Sequence, residues 1–179
     1  MIIYIALLRG INVGGHKKIP MVELRALLTD SSLKNVKTYI QSGNVIFQSN
    51  QKDVLKLEDK IKKAILVQFG FEVPVLVRSV ESFQTIFDDC PFVKEKKEKS
   101  YFVVLNKVPD ADFTKEAQKI TYENEEFLIK NSCIYYYCST GYGRTKFSMN
   151  TFERKLKVTG TSRNYNTMVK LLSLSSDLD

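Results

Sequence analysis

Apolar residues along this chain fall into runs whose spacing switches repeatedly between strand-like and helix-like. Ile2 to Leu8 is continuously apolar, which suits a central strand covered on both faces. Pro20 fits the first turn of a helix, and Met21, Leu24, Leu27 and Leu28 follow at helical spacing. Val36 to Ile40 alternates like a half-buried strand. Ser42-Gly43-Asn44 is a tight turn, because glycine and asparagine tolerate positive φ, and Val45 to Phe47 returns, so 36–48 reads as a hairpin. Asp53 is placed to cap a long helix carrying Val54, Leu57, Ile61, Ile65 and Phe69 on one stripe, and Gly70 to end it. Val73 to Val77 is a further strand, with Pro74 favouring an edge or an early strand position.

That order, βαββαβ, is the split-βαβ or ferredoxin-like arrangement. Ser79 then caps a short helix with Val80, Phe83, Ile86 and Phe87, stopped by Asp88-Asp89-Cys90-Pro91. The charged run to Lys99 reads as a linker. Tyr101 to Leu105 is a strand and Asp112 starts a helix with Phe113, Ala117 and Ile120. Glu126 to Ile129 and Cys133 to Cys138 form a hairpin around Asn131-Ser132. Asn150-Thr151-Phe152-Glu153 is a capping-box variant opening a helix through Leu156, which Gly160 breaks, and a last helix runs from about Tyr165 to Leu174. The second half therefore reads βαββα, with another helix where a fourth strand would stand. The expected fold class is α+β: two ferredoxin-like (βαββαβ-related) halves with antiparallel sheets and helices packed on them. The expected division is 1–78, a connecting helix and charged linker at 79–99, and 100–179. Strands apolar on both faces suggest that the halves cover each other's sheets.

Composition narrows the picture. With 44% hydrophobic and 26% charged residues the chain has globular values. No apolar run reaches the length of a membrane span, so no membrane partner is expected. The run at 2–8 has no basic region before it and is closed by Arg9, unlike a signal peptide. The 3 cysteines, Cys90, Cys133 and Cys138, are odd in number and lack paired spacing, which points to reduced thiols and a cytoplasmic protein. Cys133 and Cys138 sit at positions of opposite parity on a strand and so point to opposite faces; no metal-ligand spacing exists. The net charge of +7 is diluted by interleaved acid and implies only weak attraction to polyanions.

Chemistry concentrates in three polar segments. Between Leu8 and Lys18 lie Arg9, Gly10, Asn12, Gly14, Gly15, His16 and Lys17. Gly10 and Gly15 have the spacing of G-x-x-x-x-G-K-[ST], but His16-Lys17-Lys18 follows, with no hydroxyl for magnesium, so a P-loop is rejected. The strand order excludes a dinucleotide fold. What survives is a glycine-rich turn whose N–H groups can bind an anion, against a plain strand-to-helix turn whose glycines only permit positive φ. The second segment is Gln41-Ser42-Gly43-Asn44. The third is Thr161 to Asn166, before a helix: Arg163 offers a bidentate fork, and Asn164 or Ser162 serves as N-cap. His16 is a solvated loop residue or, less often in such a place, a general base.

Ala6 to Gly15, Thr38 to Val45 and Arg163 to Thr167 together resemble the signature of the DUF1697 family, a widespread bacterial family of unknown function. Gly143-Arg144-Thr145-Lys146 resembles a fourth, weaker family segment. Tyr165 stands where the family usually has tryptophan, which preserves an aromatic contact but not an indole N–H. The resemblance implies an α+β fold with ferredoxin-like parts and brings no activity with it.

From the residues, the leading expectation is one polar pocket in which three loops meet around an anionic small molecule, a nucleotide or phosphorylated metabolite. Arg9 and Arg163 would hold negative charge. Gln41, Ser42, Asn12, Asn44, Asn164 and Asn166 would supply polar contacts, and Gly10, Gly14 and Gly15 would admit a ligand to the backbone. Arg144 and Lys146 would add charge. One alternative is a nucleic-acid-binding face using Lys17, Lys18, Arg144 and Lys146; another is that the polar clusters are purely structural. A cofactor, a reaction and an oligomeric state are not specified by any of these residues.

Overall fold

The computed structural model describes residues 1–178, apart from the side chain of Tyr142. Two compact units result: Met1–Gln84 with Lys170–Asp179, and Thr85–Val169.

In the first unit the elements are β1 (Ile2–Leu8), α1 (Met21–Asp30), β2 (Lys34–Tyr39), β3 (Asn44–Ser49), α2 (Val54–Phe69), β4 (Val75–Ser79) and most of α3 (Val80–Asp88). The sheet order is β2-β3-β1-β4, antiparallel throughout. Tyr4, Ala6 and Leu8 of β1 alternate onto one face with Val45, Phe47, Val75 and Val77, where Leu24, Leu28, Leu57, Ile61 and Ile65 of the two helices meet them. Ile5, Leu7 and Ile46 on the other face are equally buried, which is why β1 is apolar without a break. Asp53 caps α2 by accepting from the Leu55 and Lys56 amides, and Gly70 closes it with φ 77°. Glu58 sits on the buried stripe of α2, where its carboxylate accepts the Val77 N–H at 2.9 Å and covers the edge strand β4.

The second unit repeats the arrangement. It contains α4 (Lys94–Lys97), β5 (Tyr101–Leu105), α5 (Ala111–Ala117), β6 (Glu125–Lys130), β7 (Cys133–Cys138), α6 (Met149–Leu156), β8 (Gly160–Asn164) and the start of α7 (Tyr165–Ser176). The order β6-β7-β5-β8 is that of the first sheet, strand for strand. Beneath it Phe152 stacks on Phe147, centroids 4.7 Å apart, and meets Phe127 edge-on at 4.8 Å.

Three local expectations are corrected. Gly160 to Asn164 is not the approach to a helix but the missing fourth strand, paired with β5 from Tyr101↔Asn164 to Leu105↔Gly160. Its Gly-Thr-Ser-Arg-Asn sequence hides it, because an edge strand does not need an apolar run. Helix α6 runs through Leu156 as expected, but it is capped by Ser148, two residues before Asn150, and it is Lys157 in the left-handed region, not Gly160, that terminates it. Lys94–Lys97 forms a helical turn within the expected linker.

Candidate functional site

In the first unit three connections gather at one end of the sheet: 9–20 after β1, 40–43 between β2 and β3, and 70–74 before β4. Main-chain bonds tie them to β1. The Leu8 N–H donates to Gly43 O at 2.8 Å, and the Arg9 N–H to Pro74 O at 3.0 Å.

The segment 9–20 is itself a small hairpin. The Asn12 N–H donates to Lys17 O (3.2 Å) and the His16 N–H to Val13 O (3.0 Å), which leaves Gly14 and Gly15 as the two central residues of the turn. Both have positive φ, 58° and 78°, the combination a two-residue hairpin turn of matching twist requires. Gly14, Gly15, His16, Lys17 and Lys18 are exposed, and among the described residues no acceptor takes the Gly14 or Gly15 amide.

Asn12, at φ 55°, holds the hairpin in place. Its Nδ2 donates to Ile19 O (3.0 Å) and to Gln41 O (2.8 Å), and its Oδ1 accepts the Ile19 N–H (2.9 Å). That one amide closes the base of the loop and joins it to the β2–β3 turn. Lys17 reaches the third connection, its Nζ donating to Glu72 O at 2.6 Å.

Within the β2–β3 turn, Asn44 is wholly buried and its Nδ2 donates to Tyr39 O (3.1 Å) and Ser42 Oγ (3.0 Å). Gly43 has φ 82°, and a Cβ there would lie 2.6 Å from Leu8 Cβ, so only glycine lets the turn lie against β1. Ile40, in the same turn, has φ 49° while half its surface is exposed, an unfavourable conformation for a β-branched residue. The structure thus brings Asn12 to Gln41 and Leu8 to Gly43, joining the first two sequence motifs.

Arg144, Lys146, Arg163, Asn164 and Asn166 belong to the second unit. Arg163 lies on β8, only 9% exposed, with Nη1 donating to Thr161 Oγ1 and Ser162 O, both at 2.8 Å. Burial lowers its pKa to about 10. Asn164 is the N-cap, accepting the Thr167 N–H at 2.9 Å, and Asn166 is exposed in the first turn of α7. Tyr165 packs against Phe87, centroids 5.5 Å apart.

Arg144 and Lys146 lie on the long connection 139–148, which closes on a carboxylate that the sequence reading passed over. Glu125 accepts the Lys146 N–H at 2.5 Å, the Phe147 N–H at 3.1 Å and the Thr145 hydroxyl at 3.2 Å. The Tyr136 hydroxyl shares a short hydrogen bond with Thr145 Oγ1, and its pKa is raised, first by burial. Cys138 ends the same strand. Burial pushes its thiol up, but hydrogen bonds from Thr140 and Tyr136 outweigh this and leave it below the ordinary value. Burial drives Cys133, at the other end of the strand, well above it. Glu125 heads a strand that alternates Glu, Phe, Ile on one side; an acid facing inward with aromatic neighbours was the only sequence signal.

Among the described residues no group of three His, Cys, Asp or Glu side chains is gathered as metal ligands, and no helix is long and apolar enough to cross a membrane.

The chain is similar in fold to the conserved bacterial protein SP0830 of Streptococcus pneumoniae. The TM-score is 0.73 and the identity 24%, over 97% of this chain and 98% of that one. No curated protein matches. The family described as "Protein of unknown function (DUF1697)" matches over residues 1–135, which takes in the whole first unit's sheet, the glycine hairpin and the β2–β3 turn. With that much of its length matched, the chain belongs to the DUF1697 family, an uncharacterised bacterial family.

Proposed function

We propose that the chain binds an anionic small molecule, such as a nucleotide or phosphorylated metabolite, at the glycine hairpin of its first unit. One observation carries the reading. The second unit makes the corresponding strand-to-helix connection with residues 106–110, whereas the first uses 9–20. The topology needs only the short form, so the added chain serves something other than the fold. What it adds is an exposed turn at Gly14 and Gly15, in a segment that also carries Lys18 and Arg9. That set of donors suits an anion. Asn12 and Asn44 act from behind, holding the loops in shape.

Calorimetry with inorganic phosphate and a nucleotide panel tests this. Saturable binding is expected, weakened about five- to tenfold by Lys18→Ala, the loss of one charge-assisted contact. No saturable binding to any member of the panel overturns the reading. So does tight binding of a DNA or RNA duplex whose affinity collapses with added salt while the small anions fail to compete, because that behaviour belongs to a phosphate-tracking surface.

A further inference from the structure

The first unit holds a cavity of about 440 Å³ between α2 and the segment before β4, lined by Asp59, Lys62, Lys63, Leu66, Glu72, Val73 and Pro74. Its size lies in the range of small-molecule sites. Its charges are largely balanced within the wall: Lys63 pairs with Asp59 at 2.7 Å, and Lys62 lies 4.0 Å from Glu58. The cavity therefore offers an ion little, and what remains for a ligand is the apolar surface of Leu66 and Pro74, with the buried Val73 behind them. Two of its lining residues are also the anchors of the glycine hairpin. Lys17 Nζ donates to Glu72 O, and the Arg9 N–H donates to Pro74 O. An apolar hollow with internally balanced charge thus abuts a cationic segment with an exposed glycine turn.

We infer that the cavity takes the apolar body of the same ligand whose anionic group the hairpin holds, so that the substrate class is a phosphate monoester carrying an apolar moiety. The inference rests on the anion-binding reading above and adds the second half of the ligand. Leu66 and Pro74 contact that moiety; Arg9, Lys17 and Lys18 surround the phosphate end.

The test compares phenyl phosphate with inorganic phosphate on the full chain, followed by amide chemical shifts and calorimetry. Both anions are expected to shift Gly14 and Gly15. Only phenyl phosphate is expected to shift Leu66 and Val73, and it should bind about tenfold tighter because its ring leaves water. Leu66 is 41% exposed, so Leu66→Trp fills the cavity from its rim and is expected to abolish the preference while leaving phosphate affinity unchanged. Equal affinity for the two anions in the unaltered chain overturns the inference and spares the hairpin site, as does a ring that shifts amides elsewhere. A chain that binds neither anion overturns both. The shift mapping needs no variant, so the outcome does not depend on how Leu66→Trp folds.

Discussion

The two units close the end of their sheets in the same way and then diverge in what they hang on it. In the first, the Leu8 N–H meets Gly43 O and the Arg9 N–H meets Pro74 O; in the second, the Leu105 N–H meets Ser132 O and the Asn106 N–H meets Thr159 O, all at 2.8–3.0 Å. Four equivalent bonds on an equivalent strand order show the same frame built twice. The long connections differ. In the first unit it is 9–20, after β1, and among the described residues no carboxylate accepts from its exposed tip glycines. In the second it is 139–148, after β7, and its amides turn inward onto Glu125. A loop whose N–H groups surround a carboxylate is therefore present in this protein already satisfied. On the proposed reading, an anionic ligand would take at the exposed hairpin the part that Glu125 takes in this loop.

Changes at these places break or sharpen the comparison. The largest effect is expected at Gly43. Ala there meets both a left-handed φ and the Leu8 Cβ, so Gly43→Ala should cost about 3 kcal/mol in urea unfolding. Ser132→Ala at the corresponding turn should cost under about 0.5 kcal/mol, because no glycine conformation is required there. Equal losses would mean that the two turns are not under different constraints. Next is Glu125→Ala, which strips the inner loop of its anion and should cost about 2 kcal/mol. Added acetate should restore part of the melting temperature of that variant and none of the parent's; no selective rescue would break the analogy between the two loops.

Asn12→Ala should cost about 1–2 kcal/mol, for three hydrogen bonds of which water replaces part, and should speed hydrogen exchange at Ile19 with the second unit's amides unchanged. It should also abolish phosphate binding, since the tip amides lose their fixed geometry. Unaltered binding in that variant would show that the hairpin needs no bracket. The smallest effects concern protons. All three cysteines lie in the second unit, so thiol chemistry reports on it alone. Cys138 should alkylate at a lower pH than an ordinary thiol and Cys133 not at all until unfolding. Cys133 and the Tyr135 phenol both have raised folded pKa values, first through burial. The unfolded chain loses those protons first, so their contribution is intact below pH 9.0 and stability falls as pH rises beyond it. Denaturant midpoints at pH 8, 9 and 10 check the sign, and a midpoint that climbs across that window would refute it.

Much of the architecture was readable from pattern because burial writes itself into spacing. An unbroken apolar run at 2–8, an apolar stripe from Val54 to Phe69, Asp53 before it and Gly70 after it each had one physical solution, and the structure adopts it. Strand β8 was unreadable for the converse reason: Gly160 to Asn164 is polar, and what makes it a strand is the waiting edge of β5, a partner far away in sequence. The glycines at 14 and 15 announced a turn, but the spacing could not say which way their amides face. For the same reason Glu125 went unnoticed, since its value lies in three donors some twenty residues further on.

The sequence by itself therefore determined most of the elements, their order and the glycine-marked turns such as those at 14–15, 43 and 70, because these depend on near neighbours and on solvent. The tertiary structure alone decided which polar groups became internal. Asn12 and Asn44 are spent on main chain, Arg163 is buried on a strand, and the glycines of the hairpin tip stay exposed. A hydrogen bond is made or left open by where its partner lies in space, and no local pattern of residues records that position.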